Sequence, residues 1–260
     1  MNAQQGIDFI LAQKQWKDLC SIYQTLQQEG HLKEVSVLTP VSGLEDMVFC
    51  ANQVLPFQNE RGVKQLVVSN MKHTSRQREV PYFEQFFRQK GYQIHTLPQE
   101  YRFEGMGDMI LHKNTFFGGY GYRTNKNAYT YIEKILNHPV ILLELVNPYF
   151  YHLDTCFLPL HDDTVLIVKE AFTPQDVEKL KTFFTSVIFI PEQEAITCFS
   201  LNAHAFTSPL TQQHLAILQK GSTYTKAILQ EKSYTIFETD TSEFMKSGGS
   251  VFCMKMAYWE

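Results

Sequence analysis

Residues 140–146 read VILLELV. Six apolar residues broken once by Glu144 make a short buried strand, far too short to span a bilayer. Working outward, the same kind of segment recurs at Val187–Ile190 and Tyr234–Glu238 on one side. Tyr92–Leu97 and Val35–Leu38 lie on the other. The five strands start at 35, 92, 140, 187 and 234, at intervals of 57, 48, 47 and 47. A fixed spacing of this size is the mark of repeated supersecondary units.

The material between the starts also repeats. Each strand is followed by turn-rich sequence and then by β-rich pairs that read as hairpins. The pairs are Met47–Leu55 with Gln65–Val68, Met109–His112 with Thr115–Gly118, Thr155–Leu160 with Val165–Val168, and Ile196–Asn202 with His204–Thr207. Helical patterns close the units. Tyr82, Phe83, Phe86 and Phe87 form an apolar stripe. Thr124 caps a helix running to Leu136, and Pro174 follows Thr173 as N-cap. A further helix is expected at Tyr224–Lys232. The fifth unit has β material at Val251–Tyr258 and no helix of its own, whereas a helix near Gln13–Glu29 precedes the first strand. Pairing that helix with the last unit predicts a closed ring of five modules, residues 1–260 as one domain, with the chain ends together; a two-domain α/β protein with accidental spacing is the alternative.

Bulk properties fit an ordinary globular protein. Of the 260 residues, 44% are hydrophobic and 19% charged, and the net charge is −4. Lys and Arg form no run, so nucleic acid is excluded as a partner on electrostatic grounds. The first residues lack the basic start and apolar stretch of a signal peptide. No membrane association is expected, and five widely spaced cysteines without a CxxC fit a reducing cytoplasm. No phosphate loop or dinucleotide fingerprint appears. The residues leave a monomer and a homo-oligomer equally open.

Six stretches carry a resemblance: DMVFCANQ from Asp46, SRQRE from Ser75, FEGMGD from Phe103, GYRTN from Gly121, FYHLDTCF from Phe150 and GGSVFC from Gly248. In order and spacing they resemble the pentein superfamily of guanidine-modifying enzymes. Within it they are most similar to bacterial dimethylarginine dimethylaminohydrolase and arginine deiminase-like proteins. The resemblance covers most of the chain. It implies a five-bladed pentein α/β propeller with pseudo-fivefold symmetry, and an enzyme that breaks a C–N bond of a guanidino substrate without metal or organic cofactor.

The implied roles suit the residue types. Cys253 is the expected nucleophile, since attack on a guanidinium carbon needs a thiolate, and Gly248 and Gly249 permit a tight bend before it. His152 is the expected general acid and base. If HLDTCF opens a strand, His152 and Asp154 share one face, so Asp154 either orients the imidazole or holds the guanidinium. Asp46, Glu104 and Asp108 are the other acids for a planar cation. Many relatives have a shorter acid-Gly-Gly-Asp form, so either Glu104 or Asp108 can be the holder. Arg76 and Arg123 match arginines that hold a substrate carboxylate, with Arg78 as a register alternative to Arg76. Ala51 and Asn52 stand where relatives acting on methylated arginine carry an acidic pair, and Phe252 stands where deiminases often carry Arg. Cys20, Cys50, Cys156 and Cys198 read as core thiols. The expected product is a ureido compound such as citrulline. Transfer of the amidino group to an amine, and a non-catalytic binding protein on the same scaffold, are the two alternatives.

Overall fold

The structure, a computed structural model, describes residues 6–259. The elements in chain order are α1 (Phe9–Gln28), β1 (Val54–Gln58), β2 (Lys64–Val68), α2 (Thr74–Gln77), α3 (Val80–Gln89), β3 (Gln93–His95), α4 (Gly105–Asp108), β4 (Met109–His112), β5 (Thr115–Tyr120), α5 (Ala128–Leu136) and β6 (Val140–Glu144). They continue with β7 (Phe157–Pro159), β8 (Thr164–Ile167), α6 (Pro174–Leu180), β9 (Ser186–Phe189), α7 (Glu192–Cys198), β10 (His204–Thr207), β11 (His214–Gln219), α8 (Thr223–Glu231), β12 (Thr235–Thr239) and α9 (Ser242–Met245).

One motif is built four times. An antiparallel hairpin is followed by a helix, and the helix returns the chain to a third strand parallel to the second. This gives the three-stranded sheets β1-β2-β3, β4-β5-β6, β7-β8-β9 and β10-β11-β12. The parallel registers run Leu66↔Ile94, Gly118↔Leu142, Leu166↔Ile188 and Ile217↔Phe237. A parallel return needs a crossover helix, and α3, α5, α6 and α8 supply it. The middle strand of each sheet is paired on both edges, and it is the most thoroughly buried.

Sequence explains the helices locally. Pro81 opens α3, whose buried residues Val80, Phe83 and Phe87 lie on one stripe. Phe87 meets Tyr92 edge to face at 4.9 Å. In α6 the Thr173 hydroxyl accepts from the Asp176 N–H at 3.1 Å and donates to the Asp176 carboxylate at 2.9 Å, a reciprocal cap. Asp8 caps α1 by accepting from the N–H groups of Ile10 and Leu11 at 3.0 Å each.

The chain divides into two units. The first comprises residues 6–39, 155–169 and 177–252, and the second residues 40–154, 170–176 and 253–259. The first unit holds the sheets β7-β8-β9 and β10-β11-β12. Here α1 joins the last repeat, as expected. Gln15 donates to the Ser242 hydroxyl at 2.8 Å and accepts from the Glu243 N–H at 3.0 Å. Tyr23 meets His204 at 3.0 Å. The second unit holds β1-β2-β3 and β4-β5-β6 around a core that includes Phe57, Val67, Phe103, Met109, Tyr129 and Ile132.

Five local expectations are corrected. Val35–Leu38 forms no strand, because no neighbouring strand offers it a ladder. Ile196 belongs to the helix α7, and the hairpin there pairs β10 with β11, as in Phe206↔Leu215. Met47 lies in a 3-10 turn, and its strand begins only at Val54. Residues 251–254 form a turn, not a strand. Thr124 does not cap α5, which starts after Asn127; its hydroxyl is used by Glu104 instead. The expected meeting of the chain ends concerns residues 1–5 and 260, which lie outside the described residues.

Candidate active site

The site is built within the second unit, on loops that leave β-sheet ends. His152 does not open a strand. It precedes a 3-10 turn, Leu153–Thr155, so the shared strand face inferred for His152 and Asp154 is replaced by one residue just before a tight turn and one inside it. Cys253 follows in the turn 251–254. Its Sγ donates to Asp154 Oδ2 at 3.3 Å, and it is 3% exposed.

FEGMGD explains how two carboxylates divide their work. Gly105–Asp108 is one helical turn, and it holds Glu104 and Asp108 at opposite ends. Gly105 has φ +51, and a Cβ there would stand 2.5 Å from the Val54 carbonyl oxygen. Only glycine fits. A Cβ at Gly107 would stand 2.1 Å from Asn52 Nδ2 and 3.3 Å from His152 Nδ1, so this backbone lies directly against both side chains.

Glu104 is fully buried, and its Oε2 pairs with His152 Nε2 at 2.7 Å. The same oxygen accepts from Arg123 Nη1 at 3.2 Å, and Oε1 accepts from the Lys72 N–H at 2.9 Å. Burial alone would raise this carboxyl. The hydrogen bond and charge of His152, the charge of Arg123 and the Lys72 N–H outweigh it and hold the group at about 2. Asp108 is also fully buried, and its Oδ1 accepts from the Leu153 N–H at 3.1 Å. Burial raises its carboxyl to about 7, against the pull of His152 and a hydrogen bond from Thr124. The extra residue in FEGMGD therefore separates an imidazole partner, Glu104, from a carboxyl seated under the His152–Leu153 backbone.

The two arginines differ. Arg76 is buried and straps the 46–53 loop. Its Nε donates to Glu79 at 3.2 Å, its Nη1 to Asn52 Oδ1 at 2.9 Å, and its Nη2 to the carbonyls of Asp46 and Phe49 at 3.2 and 2.9 Å. Arg123 pairs with Glu104 and lies over the Tyr151 ring, 4.6 Å from its centroid. Arg78 is exposed and donates to the Gly43 carbonyl. Asp46 contributes its carbonyl to Arg76, and its side chain is half-buried. The loop reaches the nucleophile through backbone: the Ala51 N–H donates to the Cys253 carbonyl at 3.1 Å, and the Met106 N–H to the Ala51 carbonyl at 2.8 Å.

Sequence reasoning thus named Cys253, His152, Asp154, Glu104, Asp108 and Arg123, which the structure gathers in one unit. It missed Asn52 as a neighbour of His152, Thr124 as the acceptor of the Glu104 N–H at 3.1 Å, Tyr151 and Lys255. A lysine two residues after the nucleophile, in an otherwise apolar run, was the available signal for the last. Among the other cysteines, Cys156 is buried, whereas Cys20, Cys50 and Cys198 are half-buried and not core thiols as expected. A groove of about 330 Å³ in the first unit, lined by Asp18, Thr25, Lys220 and Glu238, contains none of the expected site residues. Among the described residues no helix is long and apolar enough to cross a membrane.

The family model and the relatives below, on this mixed α/β fold, place the chain in the pentein superfamily. It belongs to the family described as N,N dimethylarginine dimethylhydrolase, eukaryotic, whose model matches residues 8–259. The bifunctional arginine dihydrolase/ornithine cyclodeaminase AgrE of Nostoc sp. is 32% identical over 96% of the chain. The match covers 33% of AgrE, so the chain spans about a third of that relative's length. The N(G),N(G)-dimethylarginine dimethylaminohydrolase of Mycobacterium tuberculosis is 31% identical over 97% of the chain and 78% of its own. The N-terminal domain of cyanobacterial ArgZ, an arginine dihydrolase solved as a cysteine-to-serine variant with substrate bound, superposes with a TM-score of 0.83 at 31% identity. That match covers 95% of this chain and 86% of the ArgZ domain.

Proposed function

We propose that the chain hydrolyses a guanidino compound of the arginine type through a covalent adduct on Cys253. The observation that carries this reading is the two buried pairs Cys253–Asp154 and His152–Glu104, at 3.3 and 2.7 Å, in one unit. The Cys253 thiolate attacks the guanidinium carbon, forming an S–C bond. The C–N bond to the leaving amine breaks as His152 delivers a proton to that nitrogen. Water, deprotonated by His152, then attacks the thiouronium carbon and expels the thiolate, leaving a ureido product. Asp154 and Asp108 face the cation, and Glu104 keeps the imidazole in register. Burial raises the Asp108 carboxyl to about 7, and a cation arriving beside it draws it to the ionised form.

Arg123 is the proposed partner of a substrate carboxylate, and Arg76 the strap that shapes the 46–53 loop. Asp46 acts through its carbonyl on that strap. Asn52 Nδ2, a buried donor with no hydrogen-bond partner among the described residues, stands where an acid would be needed for methylated arginine. Together with the arginine dihydrolases AgrE and ArgZ as relatives, it favours unmethylated arginine. The four repeated sheets, and α1 completing the last repeat, support one five-module propeller domain over the chain. A reduced thiol nucleophile suits a cytoplasmic setting.

The test is ureido product formation from arginine, methylated arginine and agmatine, with and without Cys253→Ser. Product from arginine that vanishes in the variant supports the reading. Equal product from the variant ends it.

A further inference from the structure

The reaction proposed at Cys253 leaves Tyr151 without a role. Its side chain is half-buried. The Arg123 guanidinium lies over its ring, with the central carbon 4.6 Å from the ring centroid. The His152 imidazole is tilted against the same ring by 58°, with centroids 5.0 Å apart. One ring therefore neighbours both the cation and the proposed general acid and base. Burial raises the phenol well above the usual tyrosine range, so the ring carries no charge near neutral pH.

A guanidinium is planar and carries N–H donors on separate edges. In Arg123, Nη1 donates to Glu104 Oε2 at 3.2 Å. That bond fixes one corner and leaves the plane free to turn about it. The Tyr151 ring removes this freedom, because the cation is drawn to the face of the ring. Nε and Nη2 form the side-on edge that matches a carboxylate bidentately. Among the described residues neither atom makes a hydrogen bond. The Arg123 side chain also keeps 15% of its surface open. Arg76 differs: its Nε, Nη1 and Nη2 are all engaged, by Glu79, Asn52 and two loop carbonyls. Arg123 is held by one corner and one face, with its carboxylate-matching edge to spare.

We propose that Tyr151 is a positioning residue whose ring sets the plane of the Arg123 guanidinium, so that its Nε–Nη2 edge meets a substrate carboxylate. The proposal rests on Arg123 as the partner of that carboxylate. It makes Tyr151 a determinant of which guanidino compounds bind. Those that carry a carboxylate gain from the ring, and those that lack one do not. Glu104 supplies the other constraint on Arg123 and is shared with His152 at 2.7 Å.

The test is calorimetric titration of arginine, and of agmatine, which lacks the carboxylate, into the full chain carrying Cys253→Ser, so that nothing turns over. Tyr151→Phe, Tyr151→Leu and Arg123→Ala are added to that chain, with circular dichroism as the check on folding. Tyr151→Phe keeps the ring and the parental affinities. Tyr151→Leu weakens arginine binding by about fivefold and leaves agmatine unmoved. Arg123→Ala weakens arginine by about tenfold or more. Tyr151→Leu on top of it costs nothing further, because the ring acts through the guanidinium. A folded Leu variant that binds both compounds as before, or weakens both alike, overturns the proposal. So does a Phe variant as weak as the Leu variant, or a Leu effect undiminished on Arg123→Ala. If the Leu variant does not fold, ring-fluorinated phenylalanine at position 151 decides, since it keeps the shape and weakens the face that the cation meets. A selective loss of arginine binding then supports the proposal, and no selective loss overturns it. Arginine that does not bind, or binds Arg123→Ala unchanged, sinks the carboxylate reading and the role of Tyr151 together. A selective Arg123 effect without a Tyr151 effect sinks only the latter. Binding needs no turnover, so a missing ureido product from the unaltered chain would sink the hydrolase reading and leave Tyr151 standing.

Discussion

The two units use the same sheet topology for opposite ends. In the first, neutral groups close the loop around Thr241, beside one buried carboxylate, Glu243, paired with Lys246 at 2.6 Å. Thr241 donates to Gln219 at 2.6 Å and meets Ser250 at 2.7 Å, while Asn202 accepts from the Ser250 N–H at 3.1 Å. In the second, the loops bury Glu104, Asp108, Asp154, Arg76 and Lys255. Satisfied neutral hydrogen bonds stabilise a loop at little desolvation cost. Buried charges are expensive unless paired, and replacing them with apolar residues is often neutral for stability. The repeat therefore supplies a scaffold, and chemistry has been placed in one half of it at a cost in stability.

The largest expected effect that sharpens this contrast is at Cys253. Cys253→Ser lowers turnover of arginine by about 10³-fold or more while circular dichroism stays unchanged. Next is Glu104→Gln, which leaves His152 without its anionic partner. Turnover falls by about 10²-fold, read as kcat at saturating substrate. This variant also changes acid stability. The Glu104 carboxyl is depressed in the folded chain, so its contribution is present above its ordinary value near 4.5 and lost as pH falls through about 2. Chemical denaturation in that window should be steeper with pH for the parent than for the variant.

Arg123→Ala comes third. It raises KM for arginine by about tenfold or more, and KM for agmatine, which lacks the carboxylate, far less. An equal rise for both would remove Arg123 from carboxylate recognition. Fourth is Asp108→Asn. Burial raises the Asp108 carboxyl, so its contribution is full below the ordinary value of 3.8 and lost as pH rises through about 7. Parental stability should decline across that range and the variant's should not. The smallest effect on activity belongs to the first unit. Thr241→Val costs about 1–3 kcal/mol in denaturant unfolding and leaves kcat per folded molecule unchanged. A large loss of kcat there would break the division between scaffold and site.

The parallel third strands were legible because short β-rich runs recur at near-constant spacing, and four of the five became β3, β6, β9 and β12. Val35–Leu38 has the same composition and no ladder, a tertiary fact that composition cannot carry. Ile196 sits among β-branched and apolar residues, yet Pro191 and the acidic first turn of α7 start a helix there. At the site, residue types were readable and partners were not. Glu104 and Asp108 are both acids in one motif. Only the helical turn between them, forced by Gly105, decides that one faces the imidazole and the other the Leu153 backbone. The resemblance implied a carboxylate-holding role for Arg76, but its donors are engaged by Glu79, Asn52 and two loop carbonyls.

The most direct test is mass spectrometry of the protein quenched with acid during turnover of arginine. The predicted result is a fraction of chains heavier by arginine less ammonia, with the added mass on the peptide that contains Cys253. Turnover with no added mass on that peptide, or the same adduct on Cys253→Ser, would contradict the account.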